Sequence, residues 1–508
     1  MTQAVSGAAA EIDAVDASIG PTPAPKTTAA EAGHAPSTAA AAPAAARATD
    51  AKARMRQAML QGPIMSTLVR LAVPTTAVIL VQTLVGVAET FFVSFLGKGA
   101  LGGVALVFPV LMLVTMMCSG GIGGGVSAAV ARAIGAGRRD DADALVLHSL
   151  VISAVCGAGF TIAALLLGPA IYRALGGEGA TLDAAVTYSD FIFIAAVPLW
   201  VVNLFSAALR GAGNVRIPAI INFVAAAVLI VLSPALIFGV GPLPGFGIAG
   251  AGLAVTAYYV VAAVILIRYM ASGRAVLVLK PARLELRLFR DILRVGLIAA
   301  LATAQFNLTI VLITGAVGLF GTEALAGYGM ASRLDYVLIP LIFGLGTATI
   351  TMVGMCVGAG NMARARRIAW TGALLSAGIT ETIGLAAAAA PSAWIGLFSS
   401  DPAVLATGTL YLRAVAPFYG AVGLGMLLFF ASQGAGRVLW PFLAGTLRLV
   451  IVAVAGWLLV AEFGFGLSAL FAVAAAAAVV FAAINVSVML SSSWRQGAAP
   501  AAAVRKAA

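Results

Sequence analysis

From about residue 66 to residue 491, apolar runs of roughly 20 residues alternate with short breaks marked by Gly, Pro or charge, and that run length is what a helix needs to cross a bilayer. Twelve such runs can be placed, at about 68–94, 100–132, 143–167, 186–209, 217–239, 247–270, 292–318, 325–357, 368–390, 409–432, 438–460 and 467–490. Lipid offers an open backbone no hydrogen bonds, so each run is expected to be an α-helix. The strict apolar/polar alternation of a membrane β-barrel is not seen. The expected fold is an all-α polytopic membrane protein with twelve transmembrane helices.

The second half of the pattern repeats the first. RLAVP at Arg70 to Pro74 faces RVGLI at Arg294 to Ile298, and FLGKGALGG at Phe95 to Gly103 faces LFGTEALAG at Leu319 to Gly327. VARAIGAG ending at Gly137 faces VGMCVGAG ending at Gly360, RGAGNVRIP at Arg210 to Pro218 faces QGAGRVLWP at Gln433 to Pro441, and PGFG at Pro244 to Gly247 faces FGFG at Phe463 to Gly466. Each repeat holds an even number of spans, so both halves keep one orientation. That predicts two parallel six-helix lobes related by a pseudo-two-fold axis along the membrane normal, with a cleft between them.

Composition narrows the class. Hydrophobic residues make up 62% of the chain and charged residues 10%, against roughly 25% charged in a soluble domain. So few charges cannot cover a water-facing surface. The net charge of +11 is spread between the spans and forms no patch with aromatic neighbours, so nucleic acid is not an expected partner. One set of loops holds Arg138 and Arg139; Arg210 and Arg216; Arg274, Lys280, Arg283, Arg287 and Arg290; Arg364, Arg366 and Arg367; and Arg437. The other holds little beyond Lys98 and Arg173. The basic set is expected in the cytoplasm, which puts both termini there and the protein in the cell (inner) membrane.

The organisation that follows is a disordered cytoplasmic tail over 1–60, rich in Ala, Thr and Pro, then an N-terminal lobe over 61–270. A cytoplasmic inter-lobe linker covers 271–291, a C-terminal lobe 292–490 and a second tail 491–508. Leu284 to Leu293 alternates charged and apolar residues and is expected to lie along the membrane surface as an amphipathic helix.

Several chemistries are excluded. No G-x-x-x-x-G-K-[ST] supplies a nucleotide loop, and no H-E-x-x-H or Ser/His/Asp constellation suggests a hydrolase. The chain is not expected to be an enzyme or to hold a cofactor. Cys118, Cys156 and Cys356 lie in apolar runs, form no C-x-x-C, and read as small packing residues. His148 reads as a helix-end residue at the interface. SGGIGGG at Ser119 to Gly125 reads as a close-packing stripe. Pro74, Pro109, Pro198, Pro340 and Pro417 lie within spans as candidate kinks.

The paired GAG loops after spans two and eight, the paired GAG-x-x-x-x-P after spans four and ten, AETFFVSFLG closing span one and YGMASRLDYVLIPLIFGLG at Tyr328 to Gly346 together resemble the multidrug and toxic compound extrusion family. The resemblance covers about Ile64 to Leu490. It implies secondary active efflux of amphipathic, often cationic, compounds by rocking of two six-helix lobes, driven by protons or sodium.

An ionisable residue inside a span is a functional candidate, because hydrocarbon makes its charge costly. Glu89 is the first. It sits roughly 10 Å inside the outer end of span one, and Gln82, Gly86, Glu89 and Val93 share one helical face. That face is ill suited to lipid and is expected to line the lobe interior. The family resemblance implies a carboxylate here followed by Thr, as Thr90 follows Glu89. It also implies polar residues from spans four and five near that acid, which points to Asn203 and Asn222. Interhelical hydrogen bonding is the plain structural alternative for both.

In the second half, Arg333 and Asp335 lie in span eight and Glu381 in span nine. Residues i and i+2 do not face each other on a helix, so Arg333 and Asp335 are expected to pair elsewhere. Asp335 serves either ion coupling or a structural charge network. The sodium-linked branch of the family implies carboxylates in spans seven and ten. Span seven here offers Gln305, Asn307 and Thr309, and span ten from Phe418 to Phe430 has no acid. Proton coupling through Glu89 is therefore the expectation, with sodium as its alternative.

The expected protein is a monomeric antiporter exporting small amphipathic molecules, bathed in membrane lipid. Two other functions stay in view: a flippase for a lipid-linked sugar, which needs a strongly cationic cavity, and a membrane assembly factor, which needs an interaction domain. With only Arg333, Arg413 and Arg448 in or near second-half spans, cationic or neutral cargo is favoured.

Overall fold

The computed structural model describes residues 55–495 except 242, 274, 457, 459–461 and 463. Most of the expected tails, over 1–60 and 491–508, lie outside the described residues, as does Arg274. Among the described residues, eleven helices are long and apolar enough to cross a membrane, and one bent pair makes a twelfth. In chain order they are α1 (Ile64–Ser94), α2 (Lys98–Gly135), α3 (Arg139–Ala174), α4 (Gly179–Ile194 and Ala196–Gly211), α5 (Arg216–Phe238) and α6 (Ile248–Ala271). The second set is α7 (Leu286–Gly318), α8 (Thr322–Gly358), α9 (Met362–Ala389), α10 (Pro402–Gly434), α11 (Leu439–Gly456) and α12 (Leu467–Leu490). A two-stranded antiparallel ribbon, Gly239–Val240 with Leu243–Pro244, joins α5 to α6.

Several breaks have a visible cause. The two segments of α4 meet at an angle of 51°. The break falls at Ala195, where the ring of Pro198 meets the carbonyl of Ile194 and removes one N–H from the ladder. Pro417 lies in a single 3₁₀ turn, Ala416–Phe418, inside α10. The glycine-rich SGGIGGG stretch gives α2 a π-helical turn at Met117–Ile122. The repeat also shows in backbone geometry. Gly97 and Gly321 begin α2 and α8 with φ of 98° and 103°, while Gly137 and Gly360 end α2 and α8 at 75° and 76°. Only glycine adopts such angles without strain, so both halves keep it at matching positions.

The lobes, α1–α6 and α7–α12, meet through α1 and α2 against α7 and α8. Their seam is made of small residues. A Cβ on Gly296 would sit 2.9 Å from the Ile122 Cα, one on Gly125 would sit 2.8 Å from the Gly296 Cα, and one on Gly354 would sit 2.8 Å from the Ala131 Cβ. Without those side chains the backbones come close enough for dispersion to hold them.

Polar clamps gather at the ends of the helices that carry the basic loops. Arg132 in α2 donates to the Gly434 carbonyl at 3.1 Å and to Asp291 Oδ1 at 2.8 Å, both in the other lobe. Residues 55–60, placed by sequence in the tail, are helical instead, in a short helix over 55–61. Arg56 donates from it to the Ile134 and Gly135 carbonyls at 3.2 and 2.9 Å, and Arg364 of α9 donates to the carbonyls of Met59 and Gly62.

The surface-lying helix expected at Leu284 to Leu293 is not a separate element. α7 begins at Leu286 and runs through unbroken. Leu288 and Ile292 are buried, and Arg287 pairs with Asp141 at 3.0 Å, so the alternation reflects packing on the start of α3. The segment before it is tied down as well. Lys280 reaches Asp140 and Asp143 at 3.2 and 3.4 Å. His148, expected at the interface, is fully buried, and its Nε2 accepts from the Glu285 N–H at 2.9 Å.

Candidate transport site

In the first lobe the face of α1 that carries Glu89 turns partly inward, while Gln82 on the same face is exposed. Gln82 donates to Asn222 Oδ1 at 3.2 Å, the Tyr258 hydroxyl donates to the same oxygen at 2.9 Å, and Asn222 Nδ2 closes onto the Pro218 carbonyl at 2.7 Å. Val93, on the same face, is 1% exposed in the lobe core with Tyr188. Glu89 lies between these layers. Its Oε1 is enclosed and has no hydrogen-bond partner among the described residues. Tyr188 and Tyr259 stand within electrostatic reach of it.

The structure thus places Glu89 and Asn222 within the lobe and ties Gln82, itself exposed, to Asn222. It does not bring the other two first-lobe candidates there. Thr90 is exposed and donates to the Gly86 carbonyl at 2.9 Å. Asn203 donates to the Leu199 carbonyl of its own helix at 2.9 Å.

The second lobe holds a cavity of about 150 Å³, lined from α7, α8, α10, α11 and α12 with Met116 and Gly120 from α2. Asp335 lines it. Its Oδ2 accepts from the Tyr411 hydroxyl at 2.7 Å and its Oδ1 accepts from Tyr419. Tyr328 meets the Tyr411 ring edge-on at 5.2 Å. Arg448 lies over the Phe306 and Phe481 rings at 5.1 and 5.8 Å, a cation–π seat. It is within electrostatic reach of Asp335 but beyond 4.0 Å, and its Nε has no partner among the described residues.

Gln305 and Asn307 line this cavity too. Gln305 donates to Thr446 at 2.7 Å, and Asn307 to the Thr303 carbonyl at 2.9 Å. Arg333 does not line it, which corrects the sequence expectation: its side chain is exposed, with its guanidinium 5.3 Å from the Phe398 ring. Glu381 accepts the Gly420 N–H at 2.7 Å, just past the 3₁₀ turn of α10, and so caps an orphaned donor.

Tyr411 and Tyr419 were not singled out by sequence as partners of Asp335. The signal was present: Tyr411, Val415 and Tyr419 recur every four residues along one face of α10, and two of those three carry hydroxyls.

A family model described as MatE matches residues 74–235 and 299–458, once in each lobe. The chain belongs to the MatE family. Members of that family are membrane transporters, not enzymes. Among its relatives, a protein of Shewanella oneidensis named FAD transporter is 28% identical over 78% of this chain and 88% of its own length. A probable multidrug resistance protein NorM of Thermotoga maritima is 28% identical over 75% of this chain and 82% of its own. A solved structure described as an outward-facing conformation of a multidrug resistance MATE family transporter superposes with a TM-score of 0.77 at 25% identity, covering 85% of this chain and 96% of that one. The MatE fold here is thus the twelve-helix, two-lobe form.

Proposed function

We propose that this MatE transporter is a multidrug exporter coupled to protons, with Glu89 carrying the proton and the second-lobe cavity receiving an amphipathic compound. The observation that carries the reading is the enclosed, unpartnered Oε1 of Glu89. A bare carboxylate there is costly, and one bound proton removes the charge and with it the larger part of that cost. Sodium wants several free oxygens, and the oxygens of Asp335 are both engaged by tyrosine hydroxyls.

Support for alternating access comes from the seam. Its clamps gather where the basic loops are, which we assign to the cytoplasmic side of the inner membrane with both termini. Opening that side would require the Arg132 and Arg364 contacts to part. The cargo class follows from the cavity, which is mostly apolar and aromatic with a few polar groups. We take the protein to act as a monomer.

A second cargo class has one observation behind it. Arg448 is a cation inside the cavity, and a relative is named for FAD, a dinucleotide with an anionic pyrophosphate. The test of the main reading is dye efflux from proteoliposomes under an imposed proton gradient and, separately, an imposed sodium gradient. Efflux under the proton gradient alone is expected. Efflux that requires sodium would overturn it.

A further inference from the structure

The repeat puts unlike residues at matching places in the two lobes. By the offset of 224 that relates Phe95 to Leu319, the mate of Glu89 is Ile313. By the offset of 223 that relates Pro218 to Pro441, the mate of Arg448 is Ala225. The first lobe thus keeps an acid where the second has an apolar residue, and the second keeps a cation where the first has one. Arg448 lies on α11 against the Phe306 and Phe481 rings and lines the second-lobe cavity. The rings attract its charge, but they offer its N–H groups no oxygen. Among the described residues it makes no hydrogen bond and has no carboxylate within 4.0 Å, and its Nε is enclosed.

An arginine keeps its charge, and a charge held without a partner away from water is costly. Asp335 lies within electrostatic reach, but both of its oxygens already accept from Tyr411 and Tyr419. Gln305 Oε1, enclosed and unpartnered, faces Gly445 one helical turn before Arg448, and it is neutral. The guanidinium is left with open donors in a planar fork that matches one carboxylate. Much of the remaining wall is apolar or aromatic, from residues such as Ile310, Ile342, Phe429 and Phe430. A space of about 150 Å³ with such walls holds one benzene-sized ring. Of the arginines that sequence placed in or near these spans, Arg333 and Arg413 are exposed. Their scarcity pointed to cationic or neutral cargo, and the place of Arg448 points the other way.

We propose that Arg448 binds the carboxylate of a one-ring aromatic acid whose ring occupies the second-lobe cavity. The inference rests on the transport reading and deepens it by naming the head and the size of the cargo. Met116 and Gly120 of the first lobe form part of the wall, so parting the lobes changes the seat of the ring.

The test is calorimetric titration of the full chain in nanodiscs at neutral pH, with empty nanodiscs as the blank for partition into lipid. The ligands share one ring and one linker: 3-phenylpropionate, 3-phenylpropanol and 3-phenylpropylamine. The wild type should bind the acid about tenfold more tightly than the alcohol or the amine, the scale of one charge-assisted hydrogen-bonded contact. Arg448→Gln should bring the acid to the affinity of the alcohol. Arg448→Lys should keep part of the preference, because the charge remains and the fork is lost. A preference that survives Arg448→Gln, or a wild type with none, would overturn the proposal. A fourth ligand, 1-pyrenebutyrate, carries four fused rings and should bind more weakly than 3-phenylpropionate; tighter binding would overturn the limit on size. If Arg448→Gln binds neither acid nor alcohol, Arg448→Lys decides: part of the preference kept supports the proposal, and none kept with alcohol binding intact overturns it. Because binding is read without transport, a wild type that shows the preference but moves no dye would refute the transport reading alone.

Discussion

Ser127 of α2 and Thr351 of α8 meet across the seam, their hydroxyl oxygens 3.5 Å apart. Beside them Ala131 and Gly354, repeat mates by the offset of 223 that relates Gly137 to Gly360, pack so closely that a Cβ on Gly354 would sit 2.8 Å from the Ala131 Cβ, and residues related by the pseudo-two-fold can touch only near it. The axis therefore passes between α2 and α8, and Thr351 also donates across the seam to the Arg210 carbonyl at 3.0 Å.

Cysteines in place of Ser127 and Thr351 should form a disulfide, since side-chain tips 3.5 Å apart need only a small adjustment to bring two sulfurs to bonding distance. In a background with Cys118, Cys156 and Cys356 replaced, mild oxidation of Ser127→Cys/Thr351→Cys should cross-link the lobes and stop efflux, and reductant should restore it. Full efflux by the cross-linked protein would mean that the seam does not open.

Arg132→Ala should loosen the same seam. It removes donors to Asp291 and to the Gly434 carbonyl; each contact is worth about 1 kcal/mol, or about fivefold in a two-state balance. Ser127, 4% exposed, replaced by cysteine should then react with maleimide several-fold faster than in the parent. An unchanged rate would remove Arg132 from the clamp.

Gly296→Leu should act more strongly. Even a Cβ there meets Ile122 at 2.9 Å, and overpacking a close seam costs about 1–3 kcal/mol. Efflux should fall sharply while helix content by circular dichroism stays normal. Normal efflux would show that the helices need not approach this closely.

Asp335→Asn should lower the melting temperature. An amide offers one acceptor oxygen where two tyrosine hydroxyls now donate, so one hydroxyl loses its acceptor at about 1–3 kcal/mol. A fully stable but inactive variant would move Asp335 from a structural role to coupling.

The spans, the repeat and the inward face of α1 were legible because each rests on periodicity: apolar run length, a fixed offset, and i, i+4, i+7 spacing. Gln82 reaches Asn222 for that reason, Asn222 itself having been pointed to by the family resemblance. The pairing of Asp335 with Tyr411 and Tyr419 was not legible, since it depends on how α8 and α10 rotate against each other. Arg210 was legible as the basic end of span four beside a GAG loop, but its partial enclosure was not, since that depends on the packing of the second lobe. The Leu284–Leu293 alternation was ambiguous in kind, because an amphipathic face suits a protein partner as well as a membrane surface.

The central claim is that Glu89 binds the proton that drives export. Its most direct test is pH-gradient-driven efflux by Glu89→Gln and Glu89→Asp in proteoliposomes, with and without sodium. Coupling requires that protonation favour one lobe arrangement over the other. Glu89→Gln, fixed in a neutral form, should show no gradient-driven efflux, and Glu89→Asp should retain part of it, neither depending on sodium. Normal pH-driven efflux by Glu89→Gln would contradict the account.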